Sequence, residues 1–164
     1  MNKADNFEVE LVSFPETAVA VYEHRAAPSL LGNSIAQFIS WRKENGLSPT
    51  KSKTFNIIYD DPGVTANANF RFDLACTIKK AVEENKQGVI SKVIPAGQCA
   101  KVRLIGGDEK LAAVINFLYH QWLSESSLAL RDFPLFLERV SFYPEVTEAD
   151  SIMDIYLPIH KIDE

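Results

Sequence analysis

Two cysteines, three histidines and two methionines are all that this 164-residue chain carries of readily coordinating or redox-active side chains. Cys76 and Cys99 are too few to form a disulfide framework, and they stand at no metal-ligand spacing with His24, His120 or His160. The sequence therefore predicts buried thiols in a reducing compartment, with no zinc site, no other metal and no cofactor. Nothing in the sequence places either thiol near a base, so a cysteine nucleophile is not expected. Long apolar runs are absent as well: no stretch approaches the roughly 18 residues that span a bilayer. The N-terminal stretch holds Asp5, Glu8 and Glu10 and lacks a charged-then-apolar signal pattern. A cytoplasmic protein with no membrane contact is expected. Positive charge is scarce: 17 Lys and Arg face 22 Asp and Glu, a net charge of -5. The densest basic patch, Lys51, Lys53 and Lys79-Lys80, is too scattered to form a reading helix, so no direct nucleic-acid contact is expected.

What is present is ordinary globular composition, 46% hydrophobic and 24% charged, in a length suited to a single domain spanning residues 1–164. Glu8 to Phe14 alternates, and after Pro15 the run from Ala18 to Tyr22 resumes in β-rich residues, which predicts two strands. Leu31, Ile35, Phe38, Ile39 and Trp41 fall near a 3.6 period until Asn45-Gly46, predicting a helix from about Leu30 to about Asn45. Thr54 to Tyr59 and Phe70 to Ile78 read as strands around a turn at Asp60-Asp61-Pro62-Gly63. Beyond a polar connector the order recurs. Val89 to Ile94 and Gln98 to Ile105 are expected strands, and Asp108 to Leu123 an expected helix with Leu111, Val114, Ile115, Leu118 and Trp122 on its apolar face. Leu135 to Phe142 and Ile152 to Ile159 close the pattern, with a turn near Pro144.

The two halves, about 8–80 and 88–160, share residues as well as element order. Gln37-Phe38-Ile39 answers Asn116-Phe117-Leu118, Pro62-Gly63-Val64-Thr65 answers Pro144-Glu145-Val146-Thr147, and the stretch from Asp73 answers that from Asp154. The expectation is an α+β fold of two pseudo-symmetric strand-strand-helix-strand-strand halves, a duplicated SHS2-like module around a central cleft, and such junctions are preferred ligand sites.

Ala96 to Val102, Ile105-Gly106-Gly107, Trp122 to Arg131 and Pro134 to Pro144, with Tyr59 to Pro62 and Arg71-Phe72-Asp73 in the first half, together resemble the GyrI-like effector-binding family from about Val9 to Ile159. That family resembles the effector-binding domains of AraC-type and MerR-type transcription regulators and includes small free-standing proteins described as DNA gyrase inhibitors. The resemblance implies a non-catalytic domain that binds amphipathic or cationic small molecules against a buried Glu and aromatic rings. Glu138 matches the acidic position. Val140 stands where the family pattern often carries Tyr, and Ser127 where Gly is common.

Physics fits that role. Glu138 lies on a strand otherwise made of Phe136, Leu137, Val140 and Phe142, where a carboxylate is costly to bury alone and a cationic guest supplies its partner. The candidate ligand-binding residues are Glu138, Trp41, Phe38, Tyr59, Trp122, Val140 and Tyr156. Phe38, Trp41, Tyr59, Trp122 and Tyr156 serve equally well as core rings, and Glu138 as a solvated or Arg-paired surface acid. No catalytic residue is assigned; in an enzyme, Glu138 would be the general base. Gly106-Gly107-Asp108-Glu109 superficially resembles a diguanylate cyclase signature, but a helix follows at once, so it reads as a turn in which Asp108 caps the helix. The macromolecular partners implied are DNA gyrase, through a protein–protein contact, or a separate regulator chain, since no helix-turn-helix is read.

Overall fold

Alternation and turn chemistry give nine strands and two helical regions among the described residues. The computed structural model describes residues 7–60, 65–142 and 145–162, and the turns expected at Pro62-Gly63 and at Pro144 lie outside them. Strands β1 (Glu10–Phe14) and β2 (Thr17–His24) lead into helix α1 (Leu31–Glu44), followed by β3 (Thr54–Ile58), β4 (Phe72–Thr77), β5 (Ile90–Ile94) and β6 (Gly97–Ile105). The second helical region is α2 (Leu111–Phe117), a π-turn (Leu118–Trp122) and the single turn α3 (Leu123–Glu125), after which come β7 (Leu128–Leu130), β8 (Phe136–Ser141) and β9 (Ile152–Lys161). No helix is long and apolar enough to cross a membrane among the described residues.

The chain divides into two compact units: residues 16–94, and residues up to 15 together with those from 95 onward. β1 and β2 are adjacent in sequence yet take different partners. β1 pairs antiparallel with β6, and β2 with β5, so the first strand is built into the later chain's sheet.

In the first unit, residues 16–94, the antiparallel order is β3-β4-β2-β5. Because side chains alternate across a sheet, Ala20, Leu74 and Cys76 share one face, and α1 covers it with Phe38 and Trp41. The buried face of α1 is Ser34, Phe38, Trp41 and Arg42, whereas Ile35 and Ile39 are exposed. The expected apolar stripe is thus turned, and the reason is hydrogen bonding. Ser34 Oγ meets His24 Nδ1 at 2.7 Å, and the Arg42 guanidinium donates to the carbonyls of Leu47 and Ser52 and to the Thr54 hydroxyl at 2.7–2.9 Å, so both polar side chains are satisfied in the interior. The helix stops as expected, with Gly46 at φ +65 just beyond its C-cap Asn45.

The second unit carries the order β1-β6-β9-β8, with β7 on the far end of β9. β9 is buried on both faces along nearly its whole length. α2 lies on the side of Arg139, whose guanidinium grips Asp108 at 3.0 Å through both terminal nitrogens. This corrects the capping expectation: Asp108 makes no cap hydrogen bond, because its carboxylate is engaged by Arg139 and the helix begins through a 3-10 turn instead. Both cysteines are free and buried.

Candidate functional site

In each unit the sheet face opposite the helix concentrates the charges. In the first unit that face holds Val19, Val21 and Glu23 of β2 opposite Thr77, Ala75 and Asp73 of β4. Asp73 is a carboxylate in an otherwise apolar strand, with a fully buried side chain, and three donors compensate it. Arg25 Nη1 stands at 2.8 Å, Lys92 Nζ at 3.0 Å and the Tyr59 hydroxyl at 3.0 Å. Lys92 also bridges to Glu23 at 2.6 Å, a contact that holds the Glu23 carboxyl below its usual range. Burial pulls Lys92 down, but its bonds to Glu23 and Asp73 more than offset this. Burial, followed by the Asp73 charge, raises the Tyr59 phenol. Arg25 and Arg71 stand 5.3 and 5.1 Å from the Tyr59 ring centre, so the ring already has two guanidinium partners.

The second unit repeats the device with an acid added. Asp154 of β9 lies opposite Arg103 of β6 on one side and opposite Glu138 of β8 on the other, so Arg103, Asp154 and Glu138 form a row across three strands. Arg103 Nε and Nη2 donate to the two Asp154 oxygens at 2.8 and 2.9 Å, and Lys101 Nζ lies 3.7 Å from the same carboxylate. That bidentate contact keeps Arg103 firmly protonated, with the Glu138 charge adding to it. One step along the strands the same face carries rings. Phe136 lies opposite Tyr156 and stacks on it at 5.1 Å, and Phe14 meets both edge-on at 4.9 and 5.0 Å. Burial, then the nearby Asp154 and Glu138 charges, raises the Tyr156 phenol well above the ordinary range.

The expected site residues separate on this framework. Glu138 and Tyr156 come together on the face just described, Glu138 half-buried and Tyr156 only 7% exposed. Val140 is exposed, within the β-bulge that interrupts β8 between Arg139 and Ser141. Trp122 ends the π-turn, half-buried. Phe38 and Trp41, stacked at 6.0 Å, sit in the apolar cluster under α1, where they act as core rings, and Tyr59 belongs to the Asp73 network. Sequence reasoning missed Arg103, Lys101, Asp154, Phe14 and Phe136. The signal for Asp154, and equally for Asp73, was present: a single acid inside an apolar strand demands a buried cation.

Comparison with known proteins shows the family and the fold. The chain is 34% identical to the probable transcriptional regulator YgiV of Escherichia coli K12 over 153 residues, 93% of this chain and 96% of that one. The C-terminal domain of EcmrR superposes with a TM-score of 0.73 at 16% identity, covering 95% of this chain and 99% of that domain. In the EcmrR–DNA complex this chain spans 58% of the longer EcmrR chain. SAV2435, in a structure bound to tetraphenylphosphonium, superposes with a TM-score of 0.56 at 10% identity, covering 95% and 96%. The family model for the GyrI-like small molecule binding domain matches residues 7–160, and this chain belongs to the GyrI-like family.

Proposed function

We propose that the protein is a non-catalytic receptor for a small amphipathic or cationic molecule, held against Glu138 on the helix-free sheet face of the second unit. The row of Arg103, Asp154 and Glu138 beside the rings of Phe14, Phe136 and Tyr156 carries this reading. Of the two carboxylates, Asp154 is buried and enclosed by Arg103 and Lys101, whereas Glu138 is only half-buried. A carboxylate beside aromatic rings favours a lipophilic cation, because the ion pair gains strength where rings exclude water. The tetraphenylphosphonium held by SAV2435 is a cation of that chemistry, which supports the reading. Trp122 and Val140, from the same unit, are assigned to the rim of the site.

The two units are proposed to descend from one duplicated strand-strand-helix-strand-strand module. The recurring element order supports this, as does the recurrence of a buried Asp met by one Arg and one Lys. The protein then acts in the cytoplasm as a sensor, a sequestering protein or a gyrase-inhibitor-like factor. A net charge of -5 favours regulation through a separate chain over direct DNA contact. Titration with cationic, neutral and anionic dyes, followed by tryptophan fluorescence, tests the reading: cations are expected to give a saturable change, and a response indifferent to dye charge contradicts it. A supercoiling assay with DNA gyrase separates the partner roles, since inhibition that persists without ligand favours the protein–protein contact.

A further inference from the structure

We propose that Arg103 is a displaceable resident cation: it holds the carboxylate row of the empty protein and yields to a cationic guest by turning toward Glu8 and Glu10, so it sets how tightly cations bind. The inference rests on the reading that this face takes a cation, and it adds the residue that governs affinity.

Several observations meet on this side chain. Its guanidinium makes a bidentate contact with Asp154, yet the side chain is 50% exposed, so its head is held at the surface rather than locked in the interior. Asp154 has a second cation in Lys101 at 3.7 Å, so departure of Arg103 does not strand a buried negative charge. On the other side of Arg103 lies a pocket of about 320 Å³, lined by Phe7, Glu8, Glu10, Lys101, Val102 and Arg103 itself. Glu10 pairs in register with Lys101, which places it on the strand next to Arg103, with Glu8 just before that strand and lining the same pocket. The guanidinium thus has carboxylates on both sides, and swinging exchanges its bidentate pair with the buried Asp154 for solvated pairs with Glu8 and Glu10, an exchange whose cost a cationic guest must meet.

The consequence for a ligand is electrostatic. Arg103 and Glu138 lie two strands apart, a spacing of about 9.6 Å at the usual inter-strand distance. A guest cation beside Glu138 is repelled by Arg103 for as long as Arg103 stays on Asp154. At that separation and an effective dielectric of about 20, removing one charge changes affinity by up to about twentyfold, and salt screening brings this nearer to about tenfold. A resident that merely shaped the site would act in the opposite direction, since its loss would weaken binding.

Calorimetric titration of the full chain with tetraphenylphosphonium tests this. Arg103→Met, which keeps length and removes charge, is expected to bind about tenfold tighter than wild type. Arg103→Lys, which keeps the charge but gives up the bidentate grip, is expected to bind about threefold tighter and carries the test if the Met variant does not fold. Glu8→Gln with Glu10→Gln is expected to weaken binding severalfold in wild type and to change nothing in the Arg103→Met background. Unchanged or weaker binding by both Arg103 variants, with wild type still binding, overturns the inference and leaves the receptor reading standing. No binding by wild type or by either variant overturns the receptor reading and the inference with it.

Discussion

Asp73 and Asp154 are held alike: each is a carboxylate in an apolar strand, its side chain 5% exposed or less, and each is met by one arginine and one lysine. A buried acid tolerates its position only while those donors stay in place. Asp73→Ala leaves Arg25, Lys92 and Tyr59 without their common acceptor. Because Arg25 and Lys92 are partly solvated, the expected loss is about 2–3 kcal/mol, below the full cost of breaking a wholly buried pair. Urea unfolding measures it, as a lower midpoint at unchanged slope.

A single backbone position gives a prediction of the opposite sign. Ser127 follows the C-cap of the last helical turn at φ +63, a left-handed conformation that costs a residue with a Cβ and costs glycine little. Ser127→Gly is therefore expected to stabilise the protein by about 1 kcal/mol, read as a higher midpoint in thermal or urea unfolding.

Tyr156 ties stability to alkaline pH. Its folded phenol, raised first by burial and then by Asp154 and Glu138, keeps its proton at pH values where the unfolded chain, near pH 10, gives it up. The stabilisation is complete below about pH 10 and is lost as pH climbs from there toward the folded value, because the unfolded state then binds fewer protons. Tyr59 and Tyr119 act in the same direction, also through burial first. Denaturant midpoints should fall above about pH 10 in wild type and fall less steeply in Tyr156→Phe, with tyrosinate absorbance reporting the delayed ionisation.

The order of strands and helices was legible because alternation and helical spacing are local signals, and β2, α1, β6 and β9 stand close to their expected places. β7 was not, since three residues cannot show a period. Nor was the partner exchange of β1 and β2, because pairing depends on contacts far along the chain. In α1 the apolar period pointed to Ile35 and Ile39, yet Ser34 and Arg42 are buried, because hydrogen-bond partners from other segments satisfy them. The site was half legible. Glu138 stood out as an acid among apolar neighbours, while Arg103, Lys101 and Asp154 acquire their meaning only from the register that aligns three strands.

Core and site rings are expected to respond differently to substitution. Phe38→Ala, in the cluster under α1, should cost about 3–5 kcal/mol of stability. Under conditions where the variant stays folded, it should leave cation affinity within about twofold of wild type, as read by calorimetry.

The central claim is that Glu138 is the counter-ion for a cationic guest, and calorimetric titration of wild type and Glu138→Gln with tetraphenylphosphonium tests it most directly. The account predicts saturable one-to-one binding by wild type and an affinity about tenfold or more lower in the Gln variant, with unfolding midpoints little changed. Equal affinity in the two proteins would contradict it.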